Sequence, residues 1–154
     1  MSAVSAAVAW SREDEPFTDN RYSRAHRWTF DGDLEVAASS SPAAVPVPMS
    51  DPAALDPEEA FVASLSSCHM LWFLSIAARR GFVVDDYRDD ADGVLEAGPD
   101  GRQAMTRVTL RPRVRYHGAA PDLEAEDAMH HAAHESCFLA ASVTSEITIE
   151  PVRP

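Results

Sequence analysis

From Ala3 to Trp10, Val4, Ala6, Val8 and Trp10 fall on alternate positions, the period of a β-strand. The same period returns from Tyr22 to Phe30, where Tyr22, Arg24, His26, Trp28 and Phe30 define an aromatic face into which an arginine is set. Asp31-Gly32 is a hairpin turn signal and Leu34 to Ala38 the returning strand. Ser39 to Leu55 contains four prolines and many small residues, which predicts a loop. At Asp56 the pattern changes. Asp56 is an N-cap type, Pro57 suits the first helical position, and Glu59 stands where a capping-box partner belongs. Arg79, Arg80 and Gly81 supply the matching stop. Between the caps, Ala60 to Ala78 is 19 residues without a formal charge, apolar on nearly every face, so this helix must be surrounded. Cys68 falls in its middle, on the same face as Phe61, Leu65 and Trp72, which predicts a thiol at the centre of the core.

After Gly81, FVVDDYR, GVLEA and AMTRVTLRPRVRY read as three strands of a meander. The middle joint is the Gly98-Pro99-Asp100-Gly101 turn, and Pro112 marks a bulge or edge in the last strand. Pro121 opens a second helix reaching to about Ser136, with Ala125, Ala128, Met129 and Ala132 as a narrow small-residue face. Cys137 falls at its end, and SVTSEITIEPV closes the chain as a strand. This order predicts an α+β fold in one domain spanning residues 1–154, a mostly antiparallel sheet packed on a long buried helix and a second helix.

Charge then narrows the function. A net charge of −12 disfavours nucleic acid and anionic membrane surfaces as partners. All thirteen basic residues are arginine, and without lysine the chain can form no Schiff base, no pyridoxal phosphate linkage and no phosphate-loop contact of the lysine type. The apolar run from Ala60 is long enough for a membrane span, but four serines and His69 interrupt it. The N-terminal MSAVSAAVAWSR lacks the early positive charge of a signal peptide, so the expected location is the cytoplasm. In that reducing compartment two cysteines serve as inert thiols or reactive ones rather than as a permanent bridge.

Three clusters could carry chemistry. Cys68 and Cys137, 69 residues apart, are either two buried thiols acting as small hydrophobes or a reactive pair. Arg24 on an apolar strand face and Glu58 at the head of the Cys68 helix favour the second reading, since a thiolate needs a nearby cation and a buried guanidinium needs a carboxylate. In HHAAHESC, His130 and His134 share a face at i, i+4 and Cys137 lies i+3 beyond, a zinc-compatible spacing with Cys68 and His69 as further candidate ligands. The competing reading places these histidines opposite the alanine face, as partners of the helix dipole. Asp85, Asp86, Asp89, Asp90 and Asp92 lack the residue order of a calcium loop and read as a solvated face.

DPEEAFVASLSSCHMLWFLSIA, followed some 70 residues later by HHAAHESCFLAASV and a closing strand, resembles the OsmC/Ohr family of thiol-dependent hydroperoxide reductases over nearly the whole chain from Tyr22 onward. The resemblance implies an OsmC-like fold in an obligate, intertwined homodimer, with the central helices enclosed by sheets and the active sites at the subunit interface. It further implies that Cys68 attacks the peroxide, Cys137 resolves the product as a Cys68–Cys137 disulfide, and Glu58 is the glutamate ten residues before the first cysteine. Arg21, Arg24 and Arg27 all lie near the place of the family's N-terminal arginine; the alternation of faces selects Arg24. Asp56 stands where many members carry asparagine, and Phe138 where many carry proline.

The implied reaction needs an organic hydroperoxide and an external thiol or dithiol reductant, and no metal, flavin or haem. Phe61, Trp72 and Trp28 favour an organic substrate over hydrogen peroxide. A non-enzymatic redox sensor or ligand-binding protein, or a zinc site on His130, His134 and Cys137, are the alternatives.

Overall fold

The computed structural model describes residues 1–153. The chain divides into two compact units, the first Met1–Ala60 and the second beginning at Phe61. In the first, strands β1 (Ala6–Ala9), β2 (His26–Phe30) and β3 (Glu35–Ala38) form an antiparallel sheet in that order, with Trp28 opposite Val8 on one side and Val36 on the other. Gly32 at φ +75° turns the chain from β2 into β3. β1 is shorter than the alternation predicts, and β2 begins four residues later than expected, leaving Tyr22 and Arg24 outside the strand. The reason is a competing backbone bond: the Arg24 N–H donates to the Met49 carbonyl at 2.7 Å, tying this stretch to the proline-rich loop instead of to a neighbouring strand. Trp10, Phe17 and Tyr22 close the β1–β2 connection as an aromatic cluster, with Phe17 and Tyr22 stacked at 4.6 Å.

The loop over residues 39–55 is pinned at both ends. Ser39 N–H donates to Leu55 O at 2.9 Å, Leu55 N–H to Ala37 O at 3.1 Å, and the Ser39 hydroxyl accepts from Asp51 N–H at 3.0 Å. It delivers the chain to helix α1 (Pro57–Arg79), whose predicted capping box is formed in both directions: Glu59 N–H to Asp56 Oδ1 at 2.8 Å, and Asp56 N–H to Glu59 Oε2 at 3.2 Å. Gly81, at φ +82°, ends it.

The second unit contains two sheets. β4 (Val83–Asp89) pairs antiparallel with β7 (Pro112–His117), while β5 (Asp92–Ala97), β6 (Gln103–Leu110) and β8 (Glu146–Ile149) form a three-stranded sheet in which β8 runs parallel to β6. The long predicted strand is therefore two, and the expected meander is replaced by strands shared between two sheets. The break falls at Arg111, whose N–H donates to Asp89 Oδ1 at 2.6 Å; the next residue, Pro112, has no N–H to continue the β6 ladder. Gly93 in β5 is a close-approach glycine: a Cβ there would come within 2.7 Å of Val62 Cγ2 on α1 and still closer to the Met105 side chain.

The phenylalanine end of α1 packs Phe73, Ile76 and Ala77 against Met129 and Ala133 of helix α2 (Leu123–Ser136), backed by Val84, Tyr87, Val114 and Tyr116 of the β4–β7 sheet. Nearer its start, Leu65 packs with Val108 and Leu110 of β6 and with Ile147 and Ile149 of β8. The buried positions of α1 are Leu65, His69, Phe73, Ile76 and Ala77, one face only. Within one chain the helix is not surrounded, and Leu71 remains 61% exposed. α2 starts at Leu123, capped by Asp122, whose side chain accepts from Ala125 N–H at 2.8 Å. Its buried face is Met129, His130 and Ala133: of the predicted face Met129 is buried and Ala132 packs against the core, while Ala128 is exposed and the interior is rotated toward His130.

Candidate active site

The mid-point of α1 and the end of α2 converge on sulfur. Cys68 and Cys137 are both free, and the Cys137 thiol donates toward Cys68 Sγ at 2.7 Å, against about 2.05 Å for a closed disulfide. Cys68 is half-buried, and the centre of the buried row on α1 is His69, not the thiol expected there. Cys137 is 2% exposed and is the residue on which α2 ends, its N–H donating to His134 O at 3.2 Å.

The two sulfurs occupy unlike environments. Burial pushes the Cys137 thiol above its ordinary value and the adjacent Cys68 sulfur raises it further, while the Ala140 N–H, donating to Cys137 Sγ at 3.3 Å, pulls the other way. Cys137 therefore stays a protonated thiol, and the more accessible Cys68 accepts its hydrogen bond. Trp72, four residues after Cys68 on α1, and Phe138, which follows Cys137, meet edge to face with ring centroids 5.6 Å apart, and Phe138 is 72% exposed.

Arg24 and Glu58 belong to the first unit, and among the described residues no ion pair joins them. The Arg24 guanidinium lies 3.7 Å over the Tyr22 ring, donates to the Tyr22 carbonyl, and reaches Asn20 O at 3.1 Å and Asn20 Oδ1 at 2.8 Å. Among the described residues all its partners are neutral. Glu58 is half-buried in the first turn of α1, while the neighbouring Glu59 makes the cap. Of the other two candidate arginines, Arg27 pairs with Glu35 at 3.3 Å on the surface and Arg21 is exposed.

The zinc arrangement is not assembled: among the described residues no group of three or more His, Cys, Asp or Glu side chains could hold a metal ion. His130 is not on the solvent face. Its Nδ1 lies 3.0 Å from His69 Nε2 in the α1–α2 interior, where the two rings are parallel to within 8°. The sequence joined these two histidines only as candidate zinc ligands; their burial as a hydrogen-bonded pair is marked in it by the i, i+4, i+8 row Leu65, His69, Phe73 alone. The aspartates of the β4–β5 region are consumed by structure: Asp85 and Asp86 pair with Arg115, Asp90 with Arg88, Asp92 with Arg111, and Asp89 accepts from the Ser66 hydroxyl at 2.5 Å.

A two-helix α+β protein with two unlike free thiols in contact is the class so defined. The family model described as OsmC-like protein matches residues 50–152, and the chain belongs to that family. Among solved structures, an OsmC-like protein of unknown function from Vibrio cholerae O1 biovar eltor is 52% identical, with a TM-score of 0.97 over 99% of this chain and 100% of that chain. An organic hydroperoxide resistance protein from Elizabethkingia anophelis is 13% identical, with a TM-score of 0.75 over 100% and 98% of the two chains. The organic hydroperoxide resistance protein OhrB of Bacillus subtilis is 18% identical, with a TM-score of 0.69 over 98% of each. These last two share the fold. No curated protein matches.

Proposed function

We propose that the protein is a cysteine-based, thiol-dependent peroxidase that reduces organic hydroperoxides to alcohols. The observation that carries this reading is the asymmetric sulfur pair: an accessible Cys68 that accepts a hydrogen bond from a buried, protonated Cys137 2.7 Å away. Cys68 thiolate attacks the terminal peroxide oxygen, the O–O bond breaks, and the alkoxide leaves as the alcohol after taking a proton; Cys68 becomes a sulfenic acid. Cys137 then attacks that sulfur, its proton and the sulfenic hydroxyl leave as water, and a Cys68–Cys137 disulfide forms. An external thiol or dithiol returns both cysteines to thiols.

Arg24 is assigned to favour the Cys68 thiolate, its guanidinium held by Asn20 and the Tyr22 ring in place of the Glu58 carboxylate expected from the sequence. The half-buried Trp72 and the exposed Phe138 that meets it are suited to an apolar peroxide tail. The working form is a homodimer. Its support is α1, apolar on nearly all faces yet buried on one, with Leu71 left for a second copy to cover. A cytoplasmic setting would supply the reductant.

A coupled assay with cumene hydroperoxide and a dithiol reductant tests the reading. Sustained turnover by wild type, abolished by Cys68→Ser, is expected. Disulfide formation without turnover in excess reductant would instead identify a redox sensor.

A further inference from the structure

Each cysteine-bearing helix also carries one buried histidine, and the two meet. His69 directly follows Cys68 on α1, and His130 lies seven residues, two turns, before Cys137 on α2. They are 2% and 3% exposed. Phe73 stacks on the His130 ring at 4.2 Å, and Met129, Ala133 and Ala77 complete an otherwise apolar contact. Among the described residues, His69 Nε2 to His130 Nδ1, at 3.0 Å, is the one side-chain hydrogen bond between α1 and α2 themselves. Among the same residues His130 Nε2 has no partner. A buried bare lone pair is a smaller loss than a buried unpaired N–H, which assigns the shared proton to His130 Nδ1 as donor and His69 Nε2 as acceptor.

Apolar contact is non-directional and tolerates small sliding of one helix along another. A buried hydrogen bond does not, because any other register leaves two polar groups unsatisfied. Burial also holds both imidazoles neutral, with His69 lowered to about 3 and His130 to about 4. Neither ring can serve as a cation for a thiolate or as a useful base near neutral pH, so what remains to the pair is geometry.

We propose that the His69–His130 hydrogen bond is a positioning clamp that holds α1 and α2 in the register bringing the Cys137 thiol onto Cys68, and thereby sets how readily the disulfide closes. The two histidines are positioning residues, acting through the sulfurs. The proposal rests on the reading of Cys68 and Cys137 as a disulfide-forming pair, but not on peroxide being the oxidant.

The test is therefore made in glutathione redox buffers, where two cysteine thiols and one glutathione disulfide give the protein disulfide and two glutathione thiols. Trapped species of the full-length protein are counted by mass spectrometry. The side chains of leucine and asparagine branch alike and have the same number of heavy atoms, but of His130→Leu and His130→Asn only the asparagine variant offers an N–H near the Nδ1 position. The leucine variant should lower the closure constant about tenfold, the effect of one net hydrogen bond, while asparagine stays within about threefold of wild type. Loss of ring packing alone would move both variants equally, and that result, or no change in either, overturns the clamp. If His130→Leu does not fold by circular dichroism, His69→Leu against His69→Gln makes the same comparison from α1. Failure of both leucine variants to fold would also overturn it, by making the pair a requirement of folding. Wild type that closes in glutathione but consumes no hydroperoxide would defeat the peroxidase reading and leave the clamp standing.

Discussion

Cys68 lies midway along the 23-residue α1, with hydrogen-bonded helix on either side, whereas Cys137 terminates the 14-residue α2 where the chain passes into a short 3-10 turn at Ala140–Ser142. The first sulfur is accessible on a fixed backbone; the second is buried on a backbone that has just left the helix. The contrast fits the roles proposed for the two thiols. A peroxide must reach the attacking thiol, and a rigid helix keeps that thiol aligned. The partner must shift to close the bond, and the segment after α2 can give more readily than the middle of α1. The two helices also differ in how they are held: α1 is apolar on nearly all sides but buries one face, while α2 buries Met129, His130 and Ala133 and exposes an acidic outer face.

The largest effect on stability should come from the contact the helices share. Phe73 is fully buried and touches both Met129 and the His130 ring, so Phe73→Ala should cost about 3–5 kcal/mol in denaturant unfolding. A loss below about 1 kcal/mol would mean that α2 is held from elsewhere.

Next is the response to acid. His69 and His130 are lowered to about 3 and 4 in the folded chain, against about 6.5 when unfolded. Between about pH 4 and 6.5 the unfolded chain binds protons that the folded chain does not, so stability should be full above about 6.5 and fall as pH drops through that window. The slope should approach about 1.4 kcal/mol per pH unit for each histidine. His69→Gln with His130→Asn should flatten this slope. An equally steep decline in that variant would transfer the acid sensitivity to the carboxylates.

The smallest difference is between the caps. Asp122 makes a single cap bond, while Asp56 takes part in a reciprocal box. Asp122→Ala should cost about 1 kcal/mol by thermal melt and Asp56→Ala at least as much. The reverse order would show the Asp56–Glu59 box to be ornamental.

The ends of α1 were legible in the sequence because Asp56, Pro57, Glu59 and Gly81 act locally, each on its own turn. The break at Pro112 was half legible: proline announces a lost donor, but not that the chain will leave one sheet for another. Nothing local tells β8 to lie parallel to β6, since that pairing is decided by packing across the whole second unit. Alternation placed Arg24 on a strand; the Met49 carbonyl, 25 residues away, took its N–H instead. On α2 the predicted face held at Met129 and Ala132, yet the interior turned further toward His130 and Ala133, because a buried histidine is acceptable only when another element brings it a partner, here His69. The cysteine pair was legible as two residues and a spacing. Its asymmetry was not, since that depends on which sulfur the fold covers.

The central claim is that Cys68 attacks peroxide and Cys137 resolves the product. Intact-mass spectrometry after one equivalent of cumene hydroperoxide, without reductant, tests it most directly. Wild type should lose two hydrogens, Cys137→Ser should gain one oxygen and with excess peroxide climb to sulfinic and sulfonic forms at Cys68, and Cys68→Ser should stay unchanged. Wild type that remains a dithiol, or slow and equal oxidation in all three proteins, would contradict the account and leave two inert thiols in contact.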